Sequence, residues 1–242
     1  MTEAEWIAFL ARPEFPAFNR SMLENPADDL PRLVFADWVE ENHPHRRFVR
    51  QLRLSVTRPH DVLHCPAFPE VRGLHAGLWR GRLALEFRTV AGIEVGLRRE
   101  EMDFLRVVLS SGWLGRLSIW VHGVDGQVTS PKFISSIRWS DVEWLDIGGH
   151  IDWQPALSQF VFARPELFPK LTVLVNRDDT PIAPVLHTMF ASPLISRLTH
   201  FDLGYGRNWP EVVEAIHTSP HLTAEMLTRW GWESPDVSPS RC

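Results

Sequence analysis

The chain has 242 residues, of which 44% are hydrophobic and 23% are charged. These fractions lie near the averages of globular proteins, so the composition argues against intrinsic disorder. The formal net charge of -5 gives no global electrostatic attraction to nucleic acid or to anionic membranes.

The cysteines and the apolar runs indicate where the protein resides. Cys65 and Cys242 lie far apart and form no disulfide framework, which favours a reducing compartment. The first twenty residues lack a basic region followed by an apolar run, so no secretory leader is expected. No uninterrupted apolar run reaches about 18 residues, so no transmembrane helix is expected. We therefore expect a cytoplasmic protein with no membrane partner.

The spacing of apolar and capping residues predicts four helices at the beginning of the chain. Two short helices are expected at 3–11 and 16–24, with prolines between them. A third begins at Asp28 or Asp29, whose carboxylate can accept hydrogen bonds from first-turn amides. A fourth covers 46–57 and alternates arginines with apolar residues.

The third helix has apolar side chains three and four residues apart, at Leu30, Leu33, Val34 and Trp38, which predicts its buried face. Asp37 lies on or beside this face and needs a positively charged partner if it is buried. The arginines near it in sequence are Arg32, Arg46 and Arg50. We interpret Asp37 and Trp38 as packing residues rather than as a direct contact with a partner.

From about residue 83, short apolar alternations follow the leucine-rich-repeat spacing L-x-x-L-x-L-x-x-N. Its first positions are Val90, Leu114, Val142, Phe168 and Leu198, on average 27 residues apart, within the usual 20–29. Helices are expected between these strands, at 100–110, 131–137, 155–162, 183–190 and 210–217. Such an alternation implies a parallel sheet with helices on one side. The template's asparagine is present only at Asn176, so a plain α/β domain with irregular parallel strands is the alternative.

Two stretches at the start of the chain resemble the bacterial repeat-companion domain. Residues 28–41 read DDLPRLVFADWVEE, close to the family pattern D-D-x-P-R-L-V-[YF]-A-D-W-L-E-E, and 46–51 read RRFVRQ. Arg47 replaces the family's usual acidic residue, and 42–45 replace its usual Gly-Asp junction. The resemblance implies leucine-rich repeats downstream and no enzymatic activity.

The fold expected is therefore α/β, with a short N-terminal helical cap followed by a leucine-rich-repeat-like solenoid of parallel strands and outer helices. The helical domain covers 1–57. The proline-rich segment 58–82 is expected to be a linker and lead-in. The solenoid with its C-terminal cap, a helix near 210–230, covers 83–232, and a tail covers 233–242.

The template places alternate strand residues on the concave face of the sheet. Its third and fifth positions are Gly92 and Glu94, Arg116 and Ser118, Trp144 and Asp146, Lys170 and Thr172, His200 and Asp202. Trp120 and Tyr205 extend this set. Aromatic and arginine side chains dominate binding hot spots. We expect partner binding by Arg116, Trp120, Trp144, Asp146, Lys170, His200, Asp202 and Tyr205. A register shifted by one residue would instead place these side chains in the core.

No catalytic residues, metal site or cofactor are expected. The histidines at 43, 45, 60 and 64 and Cys65 match no standard zinc spacing. No G-x-S-x-G nucleophile motif is present, and neither Gly-rich nucleotide-binding motif occurs.

These observations predict a non-catalytic scaffold or adaptor that binds a protein partner, of unknown identity, through the concave sheet. The alternative is an accessory subunit of a nucleic-acid-associated or defence complex, docked through the arginine helix, so that nucleic acid is met only indirectly.

Overall fold

The computed structural model describes residues 1–25, 28–42, 45–58, 60–71, 73–89, 99–121, 137–149, 154–177, 183–204 and 210–232. Within them the protein is a mixed α/β fold built on one seven-stranded sheet. The helices are α1 Glu3–Leu10, α2 Phe15–Glu24, α3 Leu30–Asn42, α4 Arg46–Thr57, α5 Arg99–Ser110, α6 Gln154–Ala163, α7 Ala183–Ala191, α8 Pro210–Thr218 and α9 Ala224–Arg229. The strands are β1 Leu63–His64, β2 Leu74–Trp79, β3 Arg82–Thr89, β4 Leu114–Val121, β5 Trp144–Gly149, β6 Val173–Arg177 and β7 His200–Asp202.

The strands follow one another across the sheet in chain order. The pairs β1–β2 and β2–β3 are antiparallel, whereas every pair from β3 to β7 is parallel. The partly parallel sheet agrees with the predicted α/β class. Helices occur at four of the predicted positions between and after the strands, while 131–136 lie outside the described residues.

The segment expected to be a linker, 58–82, contains β1 and β2 and the first residue of β3. The β2–β3 turn consists of Arg80 and Gly81, with φ angles of 50° and 74°. Positive φ at both central residues is the geometry of the type I′ turn, whose twist matches that of two paired strands. A tight hairpin therefore begins the sheet, ahead of its parallel part.

The region predicted to form one helix near 210–230 forms two, α8 and α9. Thr223 starts the second helix, because its hydroxyl accepts a hydrogen bond from the Met226 amide at 3.3 Å. Trp230 and Trp232 follow α9 and lie 5.5 and 5.6 Å from the ring of Phe201 in β7. The end of the chain's described part therefore covers the core side of the last strand.

The buried face of α3 differs from the prediction. Leu30, Leu33 and Val34 are exposed, with Leu30 at 62%. The buried residues are Arg32, Phe35, Ala36 and Val39. The apolar spacing is compatible with either face, and the aromatic packing of Phe35 decides between them.

Trp113 connects all four N-terminal helices to the sheet. Trp113, directly before β4, is fully buried. Its ring lies 5.6 to 6.2 Å from those of Trp6 and Phe9 in α1, Phe15 in α2, Phe35 in α3 and Phe48 in α4. Its indole nitrogen also donates to the Gly81 carbonyl at 3.1 Å. All four helices therefore share one core with the start of β4.

The guanidinium of Arg82 is fully buried at the start of β3 and joins three successive strands. It donates to the carbonyls of Gly112 and Leu114 at 3.0 and 3.1 Å and to the Glu143 carboxylate at 2.6 Å. Burial lowers the pKa of Arg82, and the Glu143 carboxylate acts against that shift. Such a pair is costly to break, because removing one partner leaves the other desolvated.

We expect Arg82→Met to lower the free energy of unfolding by about 3 kcal/mol, since Glu143 and the Leu114 carbonyl lose this donor and the Gly112 carbonyl retains that of Asn19. Arg106→Met should change it by less than about 0.5 kcal/mol, because Arg106 is 47% exposed and its ion pair with Asp103 lies on the surface. Urea denaturation followed by circular dichroism measures both values. Equal losses would show that Arg82 contributes no more than an exposed arginine.

Candidate functional site

The two faces of the sheet differ in chemistry. Leu85, Leu117, Leu145, Leu174 and Phe201 pair side by side and lie in the core. The alternate residues form two rows on the opposite face, which we call the open face. The first row is Ala84, Arg116, Trp144, Val173 and His200, and the second is Glu86, Ser118, Asp146, Val175 and Asp202.

Arg116 and Trp144 are direct neighbours in the first row. The Arg116 guanidinium carbon lies 4.1 Å from the centre of the Trp144 ring, which is cation–π geometry. Trp79 meets the same indole edge-on, with ring centres 6.0 Å apart. Arg116 and Trp144 remain partly exposed, and these contacts fix their orientations.

Trp120 lies further along β4 and is also fixed. Its indole nitrogen donates to the Ser118 hydroxyl at 2.8 Å. Its ring lies against Gly148 on β5, where an added Cβ would come within 2.8 Å of a ring carbon. Gly148 is therefore required for this close approach, and the partly exposed ring lies on the backbone of the neighbouring strand.

A pocket of about 490 Å³ opens on this face. Its polar lining is contributed by β1 to β5: His64, His75, Glu86, Arg116, Ser118 and Asp146. Trp120 and Val62 supply its apolar walls. Asp146 is 3% exposed, and its carboxylate lines the same pocket as the cationic Arg116. The pocket combines both charges with an aromatic wall.

The structure brings together four of the residues predicted to bind a partner. Arg116, Trp120 and Asp146 line the pocket, and Trp144 stacks beside it. His200 and Asp202 lie on the same rows, two strands further along. Tyr205 lies outside the described residues, as do Gly92 and Glu94.

Lys170 lies away from these rows. It precedes β6, and its ammonium group is 3.7 Å from the Asp141 carboxylate. Leu174 occupies the position predicted for Leu171, so the alignment of the fourth repeat is displaced by three residues. Val173 and Val175 take the places expected for Lys170 and Thr172, because the turn after α6 is longer than the template assumes.

The contributions of β1, β2 and β3 to the pocket were not predicted from the sequence. His64, His75 and Glu86 lie on β1, β2 and β3. The alternation of Arg82, Ala84 and Glu86 with leucines, after the Arg80–Gly81 turn signal, could have identified these strands.

The arginine that pairs with Asp37 differs from those predicted. Asp37 pairs with Arg53 at 2.6 Å, and not with Arg32, Arg46 or Arg50. Arg53 also reaches Glu40 at 2.6 Å, and these two hydrogen bonds raise its pKa. Trp38 packs on Phe18 and Phe35, with ring centres 5.2 and 5.9 Å apart.

The thiol next to His64 has the environment of a structural cysteine. Cys65 is 1% exposed, and burial raises the pKa of its thiol to about 12. A nucleophilic cysteine has instead a lowered pKa and solvent access. In the described part of the chain, no three side chains among His, Cys, Asp and Glu are grouped to hold a metal ion.

The chain was compared with known proteins in three ways. No family model, curated protein or solved structure matches it. None of the helices within the described ranges combines the length and apolar character that crossing a bilayer requires.

We expect Ser118→Ala to move the Trp120 indole N–H signal upfield and to speed its exchange, since the hydrogen bond to Ser118 is lost. Gly148→Ala should move the same signal by displacing the ring. Nitrogen-15 correlation spectra of the indole groups measure this, with Trp120→Phe assigning the signal among the 11 tryptophans. An unchanged Trp120 signal in both variants would contradict the described seating of the ring.

The Cys65 thiol should remain unreactive in the folded protein. In a Cys242→Ser background, Ellman's reagent at pH 8 should react only after urea is added, because the thiol is both buried and protonated at that pH. Rapid native labelling, in the absence of unfolding, would contradict this environment.

Proposed function

We propose that the protein is a non-catalytic scaffold or adaptor that binds a protein partner through the open face of its sheet. The observation that carries this proposal is that Arg116, Trp120 and Trp144 are partly exposed on this face and are held by contacts with neighbouring side chains. Side chains ordered before binding lose little entropy on association, so more of the contact energy becomes affinity.

The residue types on this face support a protein partner. Tryptophan and arginine are the residues most enriched in interface hot spots, where they fill well-packed pockets. Here they surround a pocket of about 490 Å³ that also contains carboxylates and histidines. A side chain from a partner could enter the pocket while its backbone lies across the rows towards His200 and Asp202.

The repeat-companion resemblance and the solenoid interpretation belong to the same proposal. Consecutive parallel strands in chain order, separated by helices, are the arrangement that such repeats produce. In that interpretation α1 to α4 cap one end of the array, and α8 and α9 cap the other. The open face is then its concave binding surface.

We expect the double variant Trp120→Ala/Trp144→Ala to abolish partner binding while the protein still melts cooperatively, since both rings lie mainly outside the core. The matched control is Trp38→Ala, which removes a similarly half-buried ring from the helical region. Partners captured from host lysate by the wild type are identified by mass spectrometry and then titrated against each variant.

Two results would overturn the proposal. One is equal binding by the wild type and the double variant. The other is loss of the cooperative melt, which would show that Trp120 and Trp144 are core residues.

A further inference from the structure

A second surface lies on α4, away from the open face. Arg46, Arg47 and Arg50 are exposed on this helix. Across the described ranges, their guanidinium groups have no ion pair and no hydrogen bond. Arg53 differs, because Asp37 and Glu40 already hold it. The positive charge that could bind an anionic group of a partner therefore lies in the first turns of α4.

A groove of about 310 Å³ lies between these arginines and α3. Its charged lining is contributed by Arg46, Arg50, Arg53 and Glu40. Val49, Leu54 and Thr57 contribute its less polar part. Arg46 and Arg50 are four residues apart on a helix, which places them about 6 Å apart on one side.

The exposed apolar residues of α3 extend this surface. Asp37 contacts Arg53, and Leu33 and Val34 lie one helical turn before Asp37 on the same side of α3. Leu30 lies a further turn away. Their exposed fractions are 36% for Leu33, 46% for Val34 and 62% for Leu30. The surface thus passes from free arginines, through an internal ion-pair cluster, to an aliphatic strip.

We propose that this surface docks an acidic amphipathic helix of a protein partner. Carboxylates one turn apart on that helix match the spacing of Arg46 and Arg50. Its apolar side chains match the groove and the aliphatic strip, as in other helix-in-groove complexes. The proposal stands independently of the function assigned to the open face.

The surroundings favour such a helix over nucleic acid. Asp37, Glu40 and Glu41 border the arginines, and a continuous phosphate backbone would have to pass these carboxylates. The chain as a whole carries a net charge of -5, which opposes phosphate binding at a distance. The charged backbone of a nucleic acid would also make no favourable contact with the aliphatic strip of Leu30, Leu33 and Val34.

The test uses a fluorescein-labelled 16-residue helical peptide with glutamates at i and i+4 and leucines on the adjoining face. Fluorescence anisotropy with the full chain should show saturable binding. Arg46→Glu/Arg50→Glu should weaken it at least about tenfold, because two attractive pairs become repulsive. The milder Arg46→Gln/Arg50→Gln should weaken it less.

Arg106→Glu/Arg164→Glu is the matched control, since it makes the same change of net charge at exposed arginines elsewhere and should leave binding unchanged. Leu33→Ser/Val34→Ser should weaken binding several-fold at every salt concentration. A peptide with glutamine in place of glutamate should bind at least about tenfold more weakly. Thermal melts followed by circular dichroism verify that each variant is folded.

Four results would overturn the proposal: no binding of the peptide, equal losses in the two charge-reversed doubles, tight binding of the glutamine peptide, or full affinity in the serine double. Tighter binding of a 16-nucleotide single strand than of the peptide, falling steeply with salt, would assign the surface to nucleic acid instead.

Discussion

The buried guanidinium of Arg82 links the beginnings of three strands that are far apart in sequence. Its bonds to the carbonyls of Gly112 and Leu114 and to Glu143 align β3 with β4 and with the entry into β5. One residue earlier, the Gly81 carbonyl accepts the indole N–H of Trp113, the ring on which α1 to α4 converge. The junction at 81–82 thus connects the hairpin, the parallel strands and the helical region. The register of the open face depends on that alignment.

The register explains how the open face acquires its character. Once β4 and β5 are paired without a shift, Arg116 must lie beside Trp144, and Trp120 beside Gly148. The cation–π contact and the flat seating of the indole follow from this pairing. The polar groups on this face are thus positioned by the backbone pairing of the strands, and the helices pack on the apolar core on the other side of the sheet.

Local pattern was sufficient for some parts of the fold and insufficient for others. The sequence predicts that Asp28 or Asp29 begins α3, and the Asp28 carboxylate accepts a hydrogen bond from the Leu30 amide at 2.9 Å. The prediction of which face of α3 is buried was wrong. The face that is buried depends on packing against Trp113, which is about eighty residues away in the sequence. Arg32 is buried since its guanidinium donates to the Arg80 carbonyl at 2.7 Å, a bond that sequence spacing does not reveal.

In the candidate site, too, local sequence pattern predicted some positions and not others. Period-two alternation placed Arg116, Ser118, Trp144 and Asp146 on one face, because it depends only on where a strand begins. Lys170 was misplaced because the length of a turn, rather than the alternation, sets its position. Glu86 and His75 were missed because proline-rich sequence obscured the hairpin that carries them. Tertiary hydrogen bonds and turn lengths are the information that one sequence lacks.

The lengths of the outermost strands have a consequence for self-association. β1 has two residues and β7 has three, so the paired part of the sheet narrows towards both sides. A strand from another molecule needs several consecutive unpaired amides and carbonyls to add to an edge. Such short borders offer few, so this sheet is a poor template for fibre-like growth.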